Sequence, residues 1–162
     1  PDLLLLTHGH FDHVWDAAAI KNRTGCRVAY HPDDRPLVMD LGAQARMFGL
    51  ELDSPGLDAD IALKDGGTVE AGAFAFRTLH VPGHCPGSIC FYCEAEGLIF
   101  GGDVLFASGI GRTDLPGGST DTLLSGIRKK LLTLPDTTCL YPGHGPPTRI
   151  GREKQTNPFL AE

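Results

Sequence analysis

Residues 7–13, Thr-His-Gly-His-Phe-Asp-His, constrain this chain more than any other stretch. They set three imidazoles and one carboxylate within six residues, directly after the apolar run Leu3-Leu4-Leu5-Leu6. A short apolar run that stops at a polar loop reads as a buried strand. A divalent ion such as zinc takes imidazole nitrogen and carboxylate oxygen, and a catalytic site leaves one position open to water. His8 and His10 are two residues apart, so on extended backbone they point the same way. Asp12 and His13 follow where the chain turns towards helix, and so can face a second ion.

The remaining sequence alternates short helices with short strands. Helix is expected over 16–23, where alanines are followed by Gly25. Residues 27–30 read as a second strand, 33–48 as helical turns broken near Gly42, and 53–65 as loop. Strands are expected over 68–70, 74–79, 88–93 and 98–100, which are short, β-rich and bounded by Gly or Pro. A helix over 120–134 has Ser119 as its N-cap and an apolar stripe of Leu123, Leu124, Ile127, Leu131 and Leu134. A last strand over 138–141 precedes Pro142-Gly143-His144. No linker or internal repeat divides the chain, so residues 1–162 read as a single α/β domain.

Three distant segments carry further ligand-type side chains at strand ends. Pro82-Gly83-His84 is a turn ending in histidine, Gly101-Gly102-Asp103 follows an apolar strand, and Pro142-Gly143-His144-Gly145 follows another. Together with the first motif, these segments resemble the metallo-β-lactamase superfamily, in the same order and over essentially the whole chain. Gly111-Arg112-Thr113-Asp114-Leu115-Pro116-Gly117-Gly118 and the stretch from Gly151 to Leu160 resemble short bacterial glyoxalase II-like hydrolases.

That resemblance implies a four-layer αββα sandwich with metals at one edge between two sheets. It implies two divalent ions, zinc or iron. His8, His10 and His84 would hold the first, Asp12, His13 and His144 the second, and Asp103 would bridge them. Asp12 and Asp103 would also orient the attacking water and take its proton. The implied activity is hydrolysis of a small-molecule thioester such as S-2-hydroxyacylglutathione. An iron-dependent persulfide dioxygenase on the same scaffold is the alternative, and a non-enzymatic metal-binding domain a third. The family carries further strands before its first motif, so the chain is expected to be N-terminally truncated. The glutathione-binding helical domain of longer glyoxalase II enzymes has no counterpart in the short stretch after residue 150, so glutathione would need other contacts.

Composition narrows the class. The formal net charge is −6 and no basic cluster stands out, which argues against a nucleic-acid partner. No apolar run approaches the roughly 18 residues of a membrane span. Five cysteines at irregular spacing do not form a disulfide framework and suit a reducing, cytoplasmic setting. Cys90 and Cys93 are expected on opposite faces of one strand. Cys85 is expected as a small buried residue or an oxidisable neighbour of His84. His31 and His80 read as structural. Arg112 either holds a substrate carboxylate or pairs with Asp114.

Overall fold

A computed structural model describes residues 1–160. In chain order the elements are β1 (Leu3–Leu5), α1 (Phe11–Val14), α2 (Ala17–Thr24), β2 (Arg27–Tyr30), α3 (Arg35–Met39), α4 (Leu41–Met47) and β3 (Ile61–Ala62). There follow β4 (Thr68–Ala71), β5 (Phe74–His80), β6 (Ile89–Cys93), β7 (Leu98–Gly102), β8 (Leu105–Phe106) and β9 (Gly109–Ile110). Helix α5 (Thr120–Gly126), β10 (Cys139–Pro142), β11 (Thr148–Arg149) and α6 (Ile150–Thr156) complete the order.

Strands β1, β2 and β3 form a parallel sheet, and β11-β10-β7-β6-β5-β4 form a mixed six-stranded sheet. Side-chain alternation at period two assigns each strand residue to one of three apolar layers. Val28 and Tyr30 face α1–α4, in a cluster with Leu6, Val14, Val38 and Leu41. Ala29 faces the other way, into the cleft between sheets with Ile89, Phe91 and Cys93. Cys90 and Tyr92 point from β6 to the far side, where Leu123, Ile127, Leu131 and Ile150 cover the second sheet. Helix, sheet, sheet and helix therefore stack as the αββα sandwich expected. Cys90 and Cys93 do lie on opposite faces of β6, both buried and both free.

Several expected elements differ in detail. The break in the 33–48 region falls at Asp40, not Gly42. Asp40 ends α3 and its carboxylate accepts the Ala43 N–H at 3.1 Å, capping α4. The 120–134 helix is not uniformly α. It widens at Ile127–Leu131 into a π turn, with Leu132 N–H donating to the Ile127 carbonyl at 3.0 Å. That turn carries Lys130 to β5, where its ammonium donates to the His80 carbonyl at 2.6 Å. Residues 53–65 are not wholly loop, because β3 pairs with β2. No helix among the described residues is long and apolar enough to cross a membrane.

Candidate metal centre

Every ligand-type residue singled out in the sequence sits at one end of the sandwich. The loop after β1 carries His8 and His10, and α1 carries Asp12 and His13. His84 follows β5, Asp103 follows β7, and His144 follows β10. Close backbone approach is needed there. A Cβ on Gly143 would collide with Asp103 Oδ1 and His13 Cε1, and Gly102 bends at φ 51° against Thr7.

His8, His10 and His84 form a buried cluster with ring centroids 4.5–5.1 Å apart. Burial pushes His8 well below the ordinary histidine range, reinforced by His13 and the other imidazoles. Burial also lowers His10 to about 4, with His84 adding to the shift. Burial lowers His84, although its bond to the Arg112 carbonyl and the charge of Asp103 act against it. All three rings are thereby kept neutral, the protonation state a metal ligand requires. His84 Nδ1 donates to the Arg112 carbonyl at 2.8 Å, which leaves Nε2 as the lone-pair atom. Cys85 Sγ lies 3.3 Å from His10 Nε2, and it falls within 4.8 Å of donor atoms of His8, His10 and His84, so this buried thiol stands among the cluster's own donor atoms.

Asp12, His13 and His144 form a second, more open cluster. His13 Nε2 and His144 Nε2 are 3.0 Å apart, and Asp12 Oδ2 is 3.2 Å from His144 and 3.6 Å from His13. Burial lowers the His13 pKa, but Asp103 and Asp12 outweigh it and the net shift is upward. Asp103 lies between the clusters. Its Oδ1 is 3.5 Å from His13 Nε2, and its Oδ2 is 3.7 Å from His84 and 3.6 Å from His144. Burial raises the Asp103 pKa, but His13, His84 and His144 hold it below the usual carboxylate value.

The donor set fits divalent cations. Two ligands on a tetrahedral ion with bonds near 2.05 Å are separated by about 3.3 Å, close to the separations in and beside the second cluster. His8 Nε2, His84 Nε2 and Asp103 Oδ1 are buried with no hydrogen-bond partner. Unpaired buried polar atoms are costly, and a cation shared among them removes that cost.

Two residues not anticipated from sequence hold this arrangement together. Asp34 is fully buried. Its carboxylate accepts Gly9 N–H at 2.8 Å and Gly87 N–H at 2.6 Å, tying the His8–His10 loop to the His84 loop. Burial nevertheless raises its pKa to about 6, against the pull of those two bonds. Gln44 donates to the Leu37 and Gly9 carbonyls at 2.8 and 3.2 Å and accepts Phe11 N–H at 3.2 Å. The only sequence hint for Asp34 was an acidic pair after Pro32, which is commonplace at a helix start. Gln44 had no local signal.

The other assignments separate cleanly. His80 Nε2 donates to the Pro86 carbonyl at 2.7 Å and its ring stacks on His31 at 4.0 Å, so both brace the His84 loop. Arg112 borders the centre, but its guanidinium donates two bonds to Asp114, at 2.7 and 2.8 Å.

An αββα sandwich with His/Asp clusters at its strand ends defines a metal-dependent hydrolase scaffold. Residues 1–144 match the metallo-beta-lactamase superfamily, and the chain belongs to that family. It is 44% identical over 163 residues to the hydroxyacylglutathione hydrolase GloC of Haemophilus influenzae, covering 98% of this chain and 75% of that protein. It is 40% identical over 162 residues to the probable metallo-hydrolase YqgX of Bacillus subtilis, covering 99% and 76%. Among solved structures, the B3 metallo-beta-lactamase BLEG-1 superposes with a TM-score of 0.92 at 40% identity, over 100% of this chain and 78% of that one. TTHA1623, in a di-iron-bound form, gives 0.90 at 41% identity, over 99% and 78%.

Proposed function

We propose that this centre binds two divalent ions and hydrolyses thioesters, S-2-hydroxyacylglutathione among them. The observation that carries this reading is the position of Asp103, within 3.7 Å of imidazoles from both clusters. The likeness to GloC supports the thioester class. His8, His10 and His84 would hold one ion and Asp12, His13 and His144 the other, with Asp103 shared. Bound ions would supply Lewis acidity at the thioester carbonyl and a water acidic enough to act as a nucleophile at neutral pH.

The chain's own groups do the rest. Asp103 and Asp12 orient the attacking water and offer oxygens to receive its proton. The Arg112 carbonyl holds the His84 ring in one tautomer. The thiolate leaves without needing a proton donor. Nitrogen and oxygen donors suit zinc first and iron second. Five free cysteines fit a reducing compartment such as the cytoplasm.

The test is cleavage of lactoylglutathione by the metal-loaded protein, followed with and without oxygen. The expected result is thioester cleavage at an unchanged rate under anaerobic conditions. Stoichiometric oxygen uptake with glutathione persulfide, without thioester cleavage, would replace this reading by the iron-dependent dioxygenase.

A further inference from the structure

Beside the metal centre lies a pocket of about 370 Å³, in the size range of small-molecule sites. One wall is His10, Asp12, His84, Asp103 and His144. Most of the remaining lining is apolar: Phe11, Leu37, Met47, Phe48, Leu115 and Pro116. Met47 and Phe48 are 62% and 50% exposed, and the Phe48 ring lies 5.5 Å from Phe11. Large apolar side chains gathered at the mouth of a site, rather than scattered, mark a surface that a ligand covers.

The polar groups of this pocket offer little to a charged ligand. Arg112 is the one permanently cationic side chain among the described residues lining it, and its guanidinium is held by Asp114. Gln44 also lines it, but its amide is committed to Gly9, Leu37 and Phe11. Glutathione carries two carboxylates and an ammonium, which the apolar wall would strip of water without pairing. A thioester carbonyl placed at the His and Asp side chains puts one of its two arms against the apolar lining, and the uncharged acyl arm is the one that loses least by desolvation there.

We infer that the apolar wall receives the acyl arm, and that the preferred substrates are thioesters of bulky apolar or aryl acyl groups. The charged thiol arm then extends away from the apolar side chains and stays in water. This rests on the thioester reading above and adds the acyl class to it.

A matched pair tests the inference. S-(3-phenyllactoyl)glutathione and S-lactoylglutathione share the thiol, the hydroxyl and the reacting carbonyl, and differ by one phenyl group away from the reaction centre. In the metal-loaded protein the phenyl compound is expected to have a kcat/KM higher by about tenfold or more, as for burial of a group larger than one methylene. Phe48→Ser, at a half-exposed position beyond the end of α4, should bring the ratio towards one while metal content and melting temperature stay at wild-type values. Equal efficiencies, or a ratio unmoved by Phe48→Ser, would overturn the acyl assignment alone. Cleavage of neither compound would overturn the thioester reading and this assignment with it.

Discussion

The two His/Asp clusters come largely from one seven-residue stretch, yet they sit in opposite surroundings. His8 and His84 are 1% and 2% exposed, with neutral rings and partners behind them. The side chains of Asp12 and His144 are 41% and 58% exposed, and His13 beside them is pushed towards protonation. The buried cluster is organised by the protein before any ion arrives. The open cluster is organised by mutual contact of its own side chains and is within reach of solvent and competing ligands. Shared chain position therefore does not make shared surroundings; burial and backing hydrogen bonds set them apart.

The largest expected effect tests whether the clusters are independent. Asp103→Ala removes the one carboxylate placed between them. It should lower the content of both ions and reduce thioester cleavage by about 100-fold or more. Elemental analysis showing two full equivalents in that variant would end the bridging role.

A second prediction separates the clusters directly. Titration of the loaded protein with a chelator should remove metal in two phases, the exposed cluster first. His144→Ala should erase the early phase and leave the late one. A single phase in both proteins would abolish the distinction between the clusters.

Asp34 tests what backs the buried cluster. In Asp34→Asn one oxygen still accepts, but the new amide faces a backbone N–H that it cannot satisfy. A stability loss of about 1–3 kcal/mol is expected, with metal affinity lowered about 10- to 100-fold at the buried cluster. Denaturant midpoints and competitive metal titration measure the two. The pH dependence carries its own sign. The folded-state pKa of about 6 lies above the ordinary 3.8, so the folded protein holds this proton more tightly than the unfolded chain. The stabilisation is complete below about pH 4 and is lost as pH rises through about 6. His80, Asp33, Cys85 and Tyr30 are the titratable neighbours that act on or feel this carboxyl. Asp34→Asn should remove that slope from the stability–pH curve, and an unchanged slope would assign it to other groups.

The smallest effect belongs to Arg112. Its fork is filled by Asp114 in an exposed pair, the kind that contributes little. Arg112→Ala should shift KM for lactoylglutathione by less than about twofold. A tenfold rise would place the guanidinium on a substrate carboxylate instead.

How much was readable in advance follows from the range of each interaction. His8, His10, Asp12 and His13 announce themselves because their spacing within one loop is itself the geometry. The strand periodicity of Ile89–Cys93 separated Cys90 from Cys93 because alternation across a sheet is local. The helix break expected near Gly42 falls at Asp40, because the Asp40 carboxylate caps α4 two residues before the glycine. The π turn at Ile127–Leu131 has no local signal because the stripe of apolar residues suits an α-helix, and the partners of Lys130 in that turn, the His80 carbonyl and the Asp65 carboxylate, are distant in sequence.

By itself the sequence determined the layered α/β class, the ligand types and their order along the chain. Those depend on hydrophobic period and on side-chain chemistry, which neighbouring residues express without help. Only the tertiary structure decided that Asp103 stands between two clusters, that Asp34 bonds Gly9, 25 residues before it, and Gly87, 53 residues after it, and that Phe11, Met47 and Phe48 line one pocket with His10, His84 and His144. These are meetings of residues distant in sequence. They arise from where the sheets stack and the chain returns, and no local pattern encodes the distance at which two such segments come to rest.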